Sequence, residues 1–242
     1  MKIDIKHMQL LKKAPNSAYN EIMPEFLFHS NKLEGSTFTE VELVRLVDEG
    51  MVSGNHTIDD VLETKNSIEV FNYVIDTLGE PLSKDFLLTL NAMLFDKTQT
   101  AQDGFAGRYK TIPNRIRNSA FQVALPGEVE QAVEDLIDDW ETSDHDLEAI
   151  AAFHIRFEHI HPFQDGNGRI GRFLMLKQCI ENDVDIIVID EEFGDTYKAW
   201  LEVAQTQGSN RYLIDTLKDC QTRFDQKMHD RGIDRLIAHS PE

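Results

Sequence analysis

His161-Pro162-Phe163-Gln164-Asp165-Gly166-Asn167-Gly168-Arg169-Ile170-Gly171-Arg172 joins two runs of apolar residues at helical spacing, Ile150, Phe153, Phe157 and Ile160 before it and Ile170, Phe173 and Leu174 after it. The segment therefore reads as a turn between two helices. Gly166 and Gly168 let the backbone approach a ligand closely, and the N–H groups of the following helix's first turn point toward negative charge. Asn167 adds a side-chain amide donor. Arg169 and Arg172 stand three apart on one helix face, where two guanidinium forks suit successive phosphates. Asp165 is the kind of single carboxylate that, with phosphate oxygens and water, holds magnesium. His161 supplies an imidazole, the side chain that ordinarily titrates nearest neutrality and is best suited to take a proton from an incoming hydroxyl. Together these residues predict a phosphoryl or nucleotidyl transfer site for a polyphosphate. A zinc site at His154, His159 and His161 is the weaker reading: His154 falls on the apolar face with Phe157, as a core histidine does, and histidines at alternate positions diverge.

Outward from the loop the helical period persists, and the fold class is mainly α. Val61, Ile68, Phe71, Ile75 and Leu78 line a long helix that Gly79-Glu80-Pro81 stops, and Ser83 reads as the cap of the next one, with Phe86, Leu87, Leu90 and Leu94. Val129 to Trp140, Phe193 to Ala204 and Leu213 to Phe224 mark further helices. Between Gly104 and Gly127 the period fails among glycines and prolines, which predicts a loop or short β-hairpin serving as a flap. The charged tail after Phe224 carries no functional signal.

The chain has 242 residues, 41% of them hydrophobic, enough to bury a full core. Its 24 basic residues against 43 acidic ones leave a net charge of -19, which disfavours nucleic acid and anionic membranes as partners. A nucleotide remains compatible, because the arginines converge on one loop. Cys179 and Cys220 lie among apolar residues and read as buried thiols. No apolar run reaches the ~20 residues of a membrane span, and the expectation is a cytoplasmic protein.

The stretch 161–172 resembles the Fic signature, H-x-F-x-(D/E)-G-N-(G/K)-R-x-x-R, at every fixed position. The resemblance implies a Fic-type helical bundle and transfer of AMP from ATP to Ser, Thr or Tyr hydroxyls of a target protein. It makes His161 the general base and Asp165 the Mg ligand. Gly166, Asn167 and Gly168 then cradle the α- and β-phosphates with Arg169, and Arg172 reaches the γ-phosphate. The core would span residues 60–225, after an N-terminal helical region 1–59 and before a tail 226–242.

Ser30-Asn31-Lys32-Leu33-Glu34-Gly35 is similar to the inhibitory motif of the same family, (S/T)-x-x-x-E-(G/N), with Ser30, Glu34 and Gly35 at its fixed positions. It implies a class with an N-terminal inhibitory helix, in which Glu34 pairs with Arg172 and denies that guanidinium to the nucleotide. The flap is expected near Arg115, Ile116, Arg117 and Asn118. Tyr197 resembles the adenosine-contacting position but also shares an apolar face with Leu201 and Ala204, and Gln205 stands where some relatives have asparagine. ATP, Mg and a target protein are the expected ligands and partners, and a homo-oligomer is open. The same residues are compatible with removal of AMP from a modified protein, or with a nucleotide-sensing module.

Overall fold

Side chains written into the sequence start most of the helices. Asp4, Ser17, Thr39, Thr57, Ser83, Thr98, Asp146 and Asp190 each accept a hydrogen bond from a first-turn N–H. A computed structural model describes residues 1–115 and 122–238. Among them the α-helices are α1 (Ile5–Lys13), α2 (Ala18–Lys32), α3 (Glu40–Glu49), α4 (Ile58–Asp76), α5 (Lys84–Leu94) and α6 (Gln99–Gln102). They continue with α7 (Val129–Glu141), α8 (Leu147–Ile160), α9 (Asn167–Glu181), α10 (Glu191–Gln207), α11 (Arg211–Asp230) and α12 (Ile233–Ala238).

α9 is the central helix. Nearly every residue from Asn167 to Ile180 is buried, as expected of a helix that packs on all sides against α8, α4, α5 and α2. Even Lys177 is enclosed, its ammonium donating to the Thr77 carbonyl at 2.9 Å and to Glu181 at 2.5 Å. One continuous apolar core runs from Ile3 to Ile233, so α1 and α2 are built into the same core as the helices that carry the 161–172 loop. Cys179 and Cys220 are buried free thiols.

No strand occurs among the described residues, and the expected β-hairpin is absent from the described parts of its segment, residues 104–115 and 122–127. The polar groups there are paired with the loop rather than with a second strand. Lys110 N–H donates to the Pro162 carbonyl at 2.8 Å, and the Asn114 amide donates to the Phe163 carbonyl at 3.0 Å. Of the flap positions, Arg115 is exposed, whereas Ile116, Arg117 and Asn118 lie outside the described residues. Among the described residues no helix is long and apolar enough to cross a membrane.

Candidate active site

α8 ends on His161, whose backbone is left-handed at φ 51° and ψ 61°, a conformation that costs a non-glycine residue of order 1 kcal/mol. The kink turns the chain into Pro162 and the loop. Gly166, at φ 82°, caps α9 in a conformation only glycine adopts readily, and a Cβ there would meet the buried Phe95 ring at 2.6 Å. The N-cap residue of α9, Gly166, has no side chain to cap the helix. Its first N–H groups therefore face the loop as an anion-binding end.

Asn167 differs from expectation. It is 2% exposed, its Oδ1 accepts from Phe163 N–H at 2.8 Å and its amide donates to the Phe163 carbonyl at 2.9 Å. The side-chain donor expected for a ligand is spent on stapling the turn, because burying the Phe163 ring strands that residue's backbone groups away from water. Asp165 is exposed, with one carboxylate oxygen accepting from Gly166 N–H at 2.6 Å. Among the described residues no three His, Cys, Asp or Glu side chains cluster as a metal cage. A lone exposed carboxylate fits a magnesium ion whose other ligands are phosphate and water.

Both arginines are buried and both meet carboxylates. Arg172, 3% exposed, donates from Nε to Ser30 Oγ at 3.0 Å, from Nη2 to the Ser30 carbonyl at 2.9 Å and from Nη2 to Glu34 Oε1 at 2.7 Å. Arg169 pairs with Glu63 on α4 and lies over the Phe95 ring at 5.2 Å, its buried Nε lacking a partner among the described residues. Glu63 was not legible in the sequence. Burial raises its carboxyl above the usual range, more than Arg169 lowers it.

Glu34 sits just past the end of α2, where Gly35 at φ 92° closes the turn. Its neighbours are tied down on every side. Asn31 donates to Ser67 at 2.9 Å, Thr37 N–H donates to Asp60 at 2.8 Å, and Lys198 donates to the Leu33 carbonyl at 2.9 Å. Gly194 of α10 leaves room for the Leu33 side chain, which a Cβ would approach to 2.8 Å. The carboxylate lies over Gly168, where a Cβ would overlap Oε1. Although its side chain is partly exposed, removal from bulk water pushes the Glu34 carboxyl up, but Arg172, and after it Arg169 and Lys198, outweigh this and hold it below the usual range.

Beneath Arg172, His154 and Tyr197 form a hydrogen bond of 2.6 Å inside the core, at 1% and 2% exposure. Tyr197 is thus an internal neighbour of the arginine, with its hydroxyl already engaged. Gln205 is half-buried and donates to the Ile155 carbonyl at 3.5 Å. Glu158, which no motif in the sequence marks, is buried one turn before His161 with Oε1 unpaired among the described residues, and burial pushes its carboxyl up to about 8. His161 moves the other way. Burial first, then the Lys110 ammonium, push its imidazole down to about 4, so it is neutral and able to accept a proton at pH 7.

Residues 81–179 match the model of the Fic/DOC family. A protein adenylyltransferase Fic of Nematostella vectensis is 29% identical over 242 residues, covering 94% of this chain and 51% of its own length. One of Aedes aegypti is 26% identical over 225 residues, covering 88% and 42%. The chain thus spans about half the length of these curated relatives or less. A crystal structure of a Fic domain containing signaling protein from Bacteroides thetaiotaomicron shares the fold, with a TM-score of 0.75 at 24% identity over 90% of this chain and 92% of that one. Over residues 81–179 the chain is therefore similar to the Fic/DOC family, and its likeness in fold extends well beyond that segment.

Proposed function

We propose that the chain is a protein adenylyltransferase that moves AMP from ATP to a Ser, Thr or Tyr hydroxyl of a target protein, with Glu34 as its brake. The observation that carries this reading is the arrangement of His161 at the end of α8, the uncapped start of α9 and the buried Arg169 and Arg172 on one loop and its helix. The names of the relatives support the same activity. In the transfer step the acceptor oxygen attacks the α-phosphorus, its proton passes to His161, and pyrophosphate leaves. The first N–H groups of α9, with Arg169, bind the α- and β-phosphates, and Arg172 takes up the charge of the γ-phosphate once Glu34 is displaced. Asp165 would hold magnesium, which supplies charge neutralisation on the phosphates.

The brake is supported by the position of Glu34, which occupies Arg172 and covers Gly168 at once. That position also favours a second reading, AMP removal, in which the Glu34 carboxylate orients water over a bound phosphoester. The two are separated by incubating wild type, Glu34→Gly and Glu34→Gly/His161→Ala with Mg and α- or γ-labelled ATP. AMP transfer requires α-label on protein with Glu34→Gly, none with the double variant and none from γ-label. Release of AMP from a modified protein by wild type, lost in Glu34→Gly, would replace the transfer reading.

A further inference from the structure

Lys110 is 2% exposed, yet among the described residues no carboxylate forms an ion pair with it. Its donors go to the backbone around His161 and to Asn114 instead. The ammonium donates to the Ile160 carbonyl at 3.2 Å and to Asn114 Oδ1 at 3.0 Å, and the backbone N–H donates to the Pro162 carbonyl at 2.8 Å. Asn114 completes the grip by donating to the Phe163 carbonyl at 3.0 Å. Three carbonyls flanking His161, those of Ile160, Pro162 and Phe163, are thus held by one short strap, residues 110–114, while His161 itself is left-handed.

A buried lysine usually answers a carboxylate, as Lys177 answers the half-buried Glu181. Lys110 answers only carbonyl dipoles, so its charge is not cancelled by a counter-ion and acts on what lies beside it. We propose that Lys110 is the positioning residue of His161: with Asn114 it clamps the carbonyls flanking the histidine, fixes its left-handed backbone, and sets an uncompensated positive charge beside the imidazole. This rests on His161 being the base of the proposed transfer.

The charges that face His161 come from three elements. Lys110 approaches from the strap, Glu158 on α8 has Oε2 3.8 Å from Nδ1, and Glu34 faces it from beyond α2; Glu128 faces Lys110 in turn. Glu34 is paired with Arg172, and burial keeps Glu158 largely protonated at neutral pH. Lys110 is left as the leading charge on the imidazole, although burial also pulls its own ammonium down to about 8. The strap therefore does two things for a base that sits in a costly backbone conformation. It aims the ring, and it opposes protonation of the ring before the acceptor hydroxyl arrives.

The test compares wild type with Lys110→Met, Lys110→Gln and Lys110→Arg in the full chain, folding being checked by circular dichroism. NMR titration of the His161 imidazole needs no transferase activity. Removing the charge should raise the His161 titration midpoint by about one pH unit or more, and Lys110→Arg should keep the wild-type value. Lys110→Gln, which retains a donor for the Ile160 carbonyl, carries the test where Lys110→Met does not fold. In a Glu34→Gly background the acid limb of AMP transfer should move up in pH by the same amount and return with Lys110→Arg. An unchanged His161 titration in the uncharged variants, or a shift in Lys110→Arg as large as theirs, overturns the proposal. A shifted titration with no AMP transfer by any variant would instead overturn the transferase reading and leave the positioning role standing.

Discussion

Deleting the Glu34 carboxylate should weaken the fold and strengthen nucleotide binding at the same time. In the resting protein Arg172 is 3% exposed and donates three hydrogen bonds to Ser30 and Glu34, of which the 2.7 Å contact to Glu34 is the one to an opposite charge. A hydrogen bond to a charged group contributes about 1.5–3 kcal/mol. The Glu34 side chain is 36% exposed, so solvent screening brings the expected loss in Glu34→Gly to about 1–2 kcal/mol. For a chain of this size that lowers Tm by about 2–8 °C. The vacated guanidinium is then open to a phosphate, and saturating Mg-ATP at a hundredfold excess over Kd returns about 2.7 kcal/mol. Differential scanning fluorimetry with and without Mg-ATP reads both effects. Glu34→Gly should melt below wild type without nucleotide and gain more than wild type with it. Equal melting, or equal gains, would refute the reasoning that one carboxylate both satisfies Arg172 and excludes the phosphate. The sign of the pH dependence follows from the depressed Glu34 carboxyl: its stabilisation is full above the unfolded value and is lost only as pH falls through the lower folded one. The brake should therefore hold unchanged across neutral pH.

Two further substitutions probe the scaffold of the site. Gly166→Ala forces a Cβ into a left-handed position against the Phe95 ring and should cost about 2–4 kcal/mol, measured by urea unfolding; a loss below 1 kcal/mol would mean that Phe95 yields easily. Glu158→Gln should flatten the pH dependence of stability. Because burial raises the folded carboxyl to about 8, the native state keeps a proton that the unfolded chain loses near pH 4, and wild-type stability should fall by about 1.4 kcal/mol per pH unit between those values. Parallel Tm profiles for wild type and Glu158→Gln from pH 5.5 to 7.5 would sink that assignment.

The sequence alone determined the mainly helical class, the Ser83 cap, and the turn that sets His161, Asp165, Arg169 and Arg172 together, because each depends on residues within a few positions of one another. The Glu34–Arg172 pair spans 138 residues and was legible only because the Ser30–Gly35 motif resembled a known one. Glu63, 106 residues from Arg169, had no such motif and needed the packing of α4 against α9 to be seen. Tertiary structure also turned the Asn167 amide inward to staple Phe163, and it paired Lys110 and Asn114 with the carbonyls around His161 where a hairpin was expected. The physical reason is common to these cases. Local spacing determines which groups a helix or turn can present, whereas burial of Phe163, Arg169 and Arg172 creates a demand for hydrogen bonds and counter-charges that only the packed chain reveals how to meet.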